Sequence, residues 1–404
     1  MKEPILISIT GMDKPGITSS VTQLLAGFDV NVLDIGQSVI HDALSLGMLI
    51  QIPEKVDNDQ IVLDTIQNKI NELDLNIRFV HISRESYENW VGQQGKGRHI
   101  VTLLARRITA HHISRLAHIV AENGLNIDKI TRLSGRVPLE SVESDGQACV
   151  EFSLRGPVAD LPALRSKFMG LANDIDVDIA YQENNVYRRN RRLVAFDMDS
   201  TLIQAEVIDE IAKRAGVGKQ VTAITERAML GEIDYKESFS QRVALLKGTS
   251  ESVLGEVAAT LKFTDGVERL MSTLKKLGYK TAILSGGFTY FGRALQKRFG
   301  FDYVFSNELE IENGIITGNI NGEIVDGEKK AELLSSIARH EGFSLEQTIA
   351  VGDGANDLPM LSIAGLGIAF RGKPIVKETA KQSLSTLGLD GILYLMGLSE
   401  HETK

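Results

Sequence analysis

Four short apolar runs in the second half of the chain, LVAFDMD, TAILSGG, TIAVGDG and LGIAF, are continuous instead of alternating, and helical stretches separate them. Crossover helices cover a parallel sheet on both faces, so runs of this kind suit buried parallel strands. They predict an open, Rossmann-like α/β sheet. In such sheets ligands gather at the carboxyl ends of the strands, and the residues that end each run therefore carry the functional argument. The first run ends in Asp197 and Asp199, the second in Ser285, Gly286 and Gly287, and the third in Asp353, with Asn356 and Asp357 just beyond. Lys330 opens a helix between the second and third. Two aspartates one residue apart at a strand end repel each other, so a positive group is expected between them.

Between the first two runs, residues from about 204 to 272 have helical apolar spacing, as in VIDEIAKRAG and FSQRVALLKG, and predict a helical cap over the strand ends. The segment LEIENGIITGNI places Asn313-Gly314 between two apolar stretches, which predicts a tight hairpin ahead of a helix beginning near Gly327. The first half alternates differently. Strand, helix, two strands, helix and strand follow one another from PILISIT to NIRFVHIS, a ferredoxin-like βαββαβ unit, and the same order returns from HIVTLLAR to VDIAYQ. A shift of 95 positions lays Val30-Asn31-Val32 on Leu125-Asn126-Ile127 and Leu24 on Ile119. This is a diverged internal repeat. The expected domains are residues 1–86, 98–183 and 190–404, joined by the polar stretches ESYENWVGQQGKGR and ENNVYRRNRR.

The charge balance narrows the function. A formal net charge of -9 argues against a broad nucleic-acid surface, because phosphate backbones are held by concentrated Lys and Arg. Cys149 is the single cysteine, which excludes an intrachain disulfide and fits a reducing, cytoplasmic setting. The opening MKEPILISIT has too short an apolar run for a signal peptide, and no stretch approaches the about eighteen residues needed to span a bilayer. Carboxylates converging from separate strands suit a hard cation such as Mg²⁺, which takes one or two carboxylates plus phosphate oxygens. Ser285, the backbone N–H groups of the helix that follows it and Lys330 together suit an anion. An anion that needs all of these is most simply a phosphoryl group. Asp197 can then attack phosphorus as a carboxylate nucleophile, while Asp199, its pKa pushed apart from its neighbour's, stays protonated as general acid and later base.

DMDST, SGG, Lys330 and GDGAND resemble the four signature motifs of the haloacid dehalogenase superfamily, and the region from about Leu193 onward is similar to its phosphoserine phosphatase family. The resemblance implies Mg²⁺-dependent hydrolysis of O-phospho-L-serine to L-serine and phosphate, the last step of serine synthesis, through an aspartyl-phosphate. It implies that Asp197 and Asp353, with a backbone carbonyl of Asp199, hold the metal, and that Ser285, Gly286, Lys330 and Asn356 hold the phosphoryl group. In the cap, Glu206, Met229 and Arg242 fall where that family holds its substrate, Glu206 suiting the ammonium and Arg242 the carboxylate. Three alternatives share these residues or this fold: another small phosphomonoester, phosphoryl transfer to an alcohol, and an amino-acid sensor whose second half only binds. The substrate-facing cap pair argues against the first and the complete acid set against the last.

The remaining features are read plainly. Asp357 is taken as a neighbour orienting Asn356 or Lys330, with ligation of the metal through a water as the alternative, Cys149 as a buried apolar residue, His111-His112 as a pair at a helix start, and the run RRNRR as a solvated linker. ITGMDKPGITSSVTQLLAG followed by VNVLDI resembles the opening of an ACT domain, a βαββαβ module of amino-acid metabolism. That likeness implies either an amino-acid effector, such as serine, at Asp13, Lys14, Pro15 and Gly16, or a module for dimerisation alone, and with either a homodimer. In the repeat the corresponding residues are Ile108, Thr109, Ala110 and His111, which depart from the pattern.

Overall fold

The computed structural model describes residues 2–93, 97–136, 138, 146–229 and 232–403. Residues 1–96 and 97–404 form two compact units. In the first, strands β1 (Ile5–Met12), β2 (Asn31–Ile40), β3 (Ala43–Gln51) and β4 (Asn76–His81) form an antiparallel sheet in the order β2-β3-β1-β4. Every second residue of β1, namely Ile5, Ile7 and Ile9, is buried against Val21 and Leu25 of the helix Ile17–Gly27 and Val62, Ile66 and Ile70 of the helix Asp59–Glu72. Period-two burial is what a sheet covered on one face produces. One expectation changes here: Arg84–Val91, inside the stretch read as a linker, is helical. Ser83 caps it by accepting from Ser86 N–H at 3.2 Å, and Glu85 lies in its first turn, so local capping outweighs polar composition.

The second unit begins with the repeat: β5 (Arg98–Ala105), β6 (Asn126–Arg132), β7 (Ala148–Arg155) and β8 (Asp178–Glu183), in the order β6-β7-β5-β8. The shared register extends to detail. β2 and β6 start at the corresponding Asn31 and Asn126, and each has an irregularity at the corresponding place, between Val32 and Asp34 and between Ile127 and Lys129. The burial differs, however. β5 is buried from His99 to Ala105, because Val101 and Leu103 pack under the repeat's own helices while Leu104, with Cys149 and Ala180, joins the core of the α/β sheet that follows.

That third sheet comprises β9 (Leu193–Phe196), β10 (Lys280–Phe288), β11 (Tyr303–Glu312), β12 (Ile315–Asn321), β13 (Thr348–Gly352), β14 (Leu366–Phe370) and β15 (Gln382–Leu384), ordered β12-β11-β10-β9-β13-β14-β15. All neighbours are parallel except β11 and β12, the hairpin, whose Asn313 and Gly314 take φ of 53° and 78°, as its two-residue turn requires. The chain leaves β9 toward β10 on one side and returns to β13 on the other, so the switch point lies beside the strand that ends in Asp197. The insertion after β9 holds the helices Val207–Arg214, Gly218–Met229, Tyr235–Ala244 and Ser252–Thr260. The helix Val267–Lys276 then leads into β10.

The run RRNRR is a second correction. It is only partly a solvated linker: Arg189, Asn190 and Arg192 are exposed, but Arg188 and Arg191 are only 2% and 5% exposed. Arg188 pairs with Glu151 of β7, and the Arg191 guanidinium donates to Arg188 O at 2.9 Å and to Gln182 Oε1 at 3.0 Å. The repeat and the α/β sheet close over this segment, which local composition cannot reveal. Among the described residues no helix is long and apolar enough to cross a membrane.

Candidate active site

The four residues of β9 are fully buried, and its end is pinned by Asp197 N–H donating to Val351 O of β13 at 2.8 Å. This backbone tie sets the Asp197 carboxylate beside the end of β13, where Asp353 follows. Asp197 Oδ1 accepts from Met198 N–H at 2.7 Å, and its Oδ2 lies 3.0 Å from Lys330 Nζ. Lys330 is itself placed by Asp326, which caps the helix Gly327–His340 by accepting from Lys329 N–H at 2.8 Å and so fixes the first turn. The Lys330 side chain is completely buried and donates to Asp357 Oδ1 at 2.7 Å. Burial alone would depress its pKa, but Asp197 and Asp357 overcome that and hold the ammonium above its ordinary range.

Asp357 is fully engaged, its Oδ2 accepting from Gly354 N–H at 2.9 Å, and Thr201 Oγ1 donates to Asp353 Oδ1 at 3.4 Å. Ser285 is buried, with its Oγ accepting from Gly287 N–H at 3.0 Å. Asp199 is 8% exposed, and its Oδ1 has no hydrogen-bond partner among the described residues. Burial, then the charges of Glu206 and Asp197, raise its pKa well above the carboxylate range. Burial likewise pushes Asp353 up to about 8, with Asp197 and Asp357 adding repulsion.

Crowded carboxylates of this kind test the fit of a cation. Asp197, Asp353 and Asp357 are all buried, and each offers an oxygen within 4.8 Å of the others. Lys330 neutralises only part of that charge. A buried, oxygen-only donor set with excess negative charge fits a hard divalent ion. The histidine pair offers no such site: it lies at the start of the helix Ala110–Glu122, where Thr109 N–H donates to His112 Nδ1 at 3.4 Å and His112 N–H to Thr109 Oγ1 at 3.3 Å, closing a capping box.

The insertion closes the site from above, leaving a cavity of about 720 Å³ lined by Asp197, Asp199, Ser285, Gly286, Asp353 and Asn356 below and by Glu206 and Arg242 from the insertion. Glu206 precedes the helix Val207–Arg214 and accepts from Ser200 Oγ at 2.8 Å; burial raises its pKa. Arg242 is on the helix Tyr235–Ala244 and donates from Nε to Ser238 O at 3.4 Å. Met229 closes the helix Gly218–Met229, and its side chain lies outside the described residues. Asp13, Lys14, Pro15 and Gly16 are exposed together in the first unit, ahead of the helix Ile17–Gly27.

Among the lining residues that sequence reasoning missed are Tyr235 and Lys373. Tyr235 lies seven positions before Arg242, on the same helical face, and that spacing was the available signal. Its hydroxyl lies 2.0 Å from where a Cβ on Gly286 would be, so any side chain at 286 would force Tyr235 to shift. Burial pushes its pKa up to about 12. Lys373, before the helix Pro374–Thr379, also lines the cavity, and its positive charge lowers the pKa of both Glu206 and Asp353. No local pattern marks it.

Residues 194–362 match the family model of haloacid dehalogenase-like hydrolases, and residues 3–80 and 97–182 each match an ACT domain model. The chain is 39% identical to the phosphoserine phosphatase of Streptomyces coelicolor over 99% of its own length and 93% of that protein. It is 40% identical to a phosphoserine phosphatase of Mycobacterium tuberculosis over 99% and 95%. Among solved structures, a haloacid dehalogenase family hydrolase of Salmonella enterica aligns with a TM-score of 0.62 and 32% identity, covering 74% of this chain and 98% of that one. A probable phosphoserine phosphatase of Vibrio cholerae, unliganded, aligns with a TM-score of 0.59 and 33% identity over 74% and 86%.

Proposed function

The chain belongs to the phosphoserine phosphatase family of haloacid dehalogenase-like hydrolases, with two ACT domains ahead of the catalytic one, and on that premise we propose the following division of labour within it. The phosphatase region, residues 190–404 with its cap at about 204–272, hydrolyses O-phospho-L-serine to L-serine and phosphate. The ACT regions, residues 1–86 and 98–183, serve regulation and assembly. One observation carries the catalytic reading: Asp197, Asp199, Asp353, Ser285 and Asn356 meet in a single cavity whose roof brings Glu206 and Arg242.

The Asp197 carboxylate attacks phosphorus, a P–O bond forms to Asp197 and the P–O bond to the serine oxygen breaks. Asp199, kept protonated by burial, gives its proton to the departing oxygen. In the second half it takes a proton from the water that attacks phosphorus, releasing phosphate and restoring Asp197. Ser285, Lys330, Asn356 and the backbone at Gly286 bind the phosphoryl oxygens, where protein groups chiefly position and neutralise. Arg242 binds the substrate carboxylate and Glu206 its ammonium. Asp197, Asp353 and the Asp199 carbonyl would hold Mg²⁺, with Asp357 supporting Lys330, and the ion would supply positive charge that lets one anion approach another.

We also propose that the loop Asp13–Gly16 binds an amino-acid effector, the product serine, and that the chain is a cytoplasmic homodimer. Gly16 caps the helix Ile17–Gly27 at φ 94° with no side-chain hydrogen bond, which supports carboxylate capture by its first N–H groups. Inhibition by serine that is identical in the full chain and in a chain starting at Gly97 sinks the effector reading; a monomer in sedimentation sinks the dimer.

The deciding experiment for catalysis is phosphate release from O-phospho-L-serine against a panel of phosphomonoesters, with Mg²⁺ and with chelator, for the wild type and Asp197→Asn. Selective, metal-dependent turnover is expected, falling by at least about 10³-fold in the variant. Broad turnover removes the substrate assignment; turnover that survives the substitution removes the nucleophile.

A further inference from the structure

A second, smaller cavity of about 220 Å³ lies within residues 97–404, between the second ACT domain and the edge of the phosphatase sheet. Three cationic side chains from three different segments line it: Arg165 from the helix Leu161–Asp174, Arg191 from the segment entering β9, and Lys381 from just before β15. Arg191 is only 5% exposed, and it has no ion pair among the described residues. Among the described residues its Nε–H is buried without an acceptor, and so is that of Arg165. A guanidinium taken out of water with an N–H unsatisfied is costly, and native structures normally supply the missing acceptor.

The acids nearby do not supply it. Glu183 and Glu346 line the cavity but are exposed at its rim, and neither forms an ion pair with Arg165 or Arg191 among the described residues. Tyr181 offers Arg165 its ring at 5.8 Å, which leaves the N–H unanswered. The walls are rigid enough to hold a site: Gln382 bridges β15 to β8, its Oε1 accepting from Tyr181 N–H at 2.9 Å and its Nε2 donating to Tyr181 O. Lys381 Nζ is steadied by Ser362 O at 3.1 Å.

We propose that this cavity is a small-anion site, in which an oxyanion of the phosphate or short-carboxylate class accepts hydrogen bonds from Arg165 and Arg191 and thereby ties the second ACT domain to the phosphatase domain. Its volume is below that of pockets for drug-sized molecules, so a nucleotide or peptide does not fit. Guanidinium groups present planar, paired donors that match either oxyanion.

The test is calorimetric titration of the full chain in chelator with inorganic phosphate and, in a second arm, with acetate, for wild type, Arg165→Gln and Arg191→Gln. Arg165 is partly exposed and makes no ion pair among the described residues, so its variant keeps the fold even where Arg191→Gln does not. The expected result is a binding event that Arg165→Gln weakens at least tenfold, while inhibition of the Mg²⁺-loaded enzyme by phosphate at the catalytic cavity changes less than twofold. The arm with the stronger event identifies the anion. Isotherms of Arg165→Gln that superimpose on those of the wild type, in both arms, overturn the site, whether they show binding elsewhere or none.

Discussion

The two βαββαβ copies share a register down to an irregularity in one strand, yet they are stabilised differently. In the first copy β1 buries every other residue, and its hydrophobic cluster is drawn from its own unit. In the second, β5 is buried on both faces, and Leu104, Cys149 and Ala180 belong to the same cluster as Phe196 and Met198 beside Asp197. The helix starts differ as well: Gly16 leaves the N-terminal N–H groups of its helix without a side-chain acceptor, whereas Thr109 and His112 close theirs. One fold has thus been used once as a module with open loop chemistry and once as part of the foundation of a catalytic sheet. What separates the uses is the second face of the sheet and the first turn of the helix.

The sharpest break of this comparison is thermal. Leu104→Ala is expected to cost about 2–5 kcal/mol and to lower the melting transition that includes the phosphatase. Ile9→Ala, at an equally buried site in the first copy, is expected to shift a separate transition and leave phosphoserine turnover intact. A single common transition in calorimetry would erase the distinction. Next is Asp178, whose carboxylate accepts from Ser385 N–H at 2.9 Å, Thr386 N–H at 2.7 Å and Thr386 Oγ1 at 2.6 Å. Asp178→Ala leaves these donors unsatisfied and is expected to cost about 2–4 kcal/mol in the second unit alone, read by urea unfolding.

Smaller effects address the helix starts. Gly16→Ala meets no atom within 4 Å but keeps a positive φ, so it is expected to cost about 1–2 kcal/mol in the first unit and to blunt serine inhibition without changing turnover. Thr109→Ala removes the capping box, costs about 1 kcal/mol, and leaves serine inhibition unchanged. If the second substitution alters inhibition as much as the first, the open loop is not what distinguishes the copies.

Much of this was legible in the chain because the signals were short-range. The continuous runs announce doubly covered strands, and their terminal residues have to lie on one edge of the sheet, so Asp197, Asp199, Ser285 and Asp353 could be gathered before any coordinates. The alternation in PILISIT gives the face of β1 directly. The run RRNRR was misread because polar composition is silent about what closes over it. Tyr235 was recoverable from its spacing to Arg242, but its approach to Gly286 depends on how the cap sits on the sheet. Lys373 had no signal, since it reaches the cavity from beyond β14 through contacts distant in sequence.

By itself, then, the sequence determined the element order, the repeat, the buried strands and the acids at their ends, because periodicity, turn chemistry and strand direction are local properties of a polypeptide. The tertiary structure alone decided which acids meet the buried Lys330 and which line the cavity, how burial raises Asp199 and Asp353, and that Arg191 is enclosed with no ion pair among the described residues. Those outcomes depend on desolvation and on distances between groups far apart along the chain, and neither is encoded in any short stretch of residues.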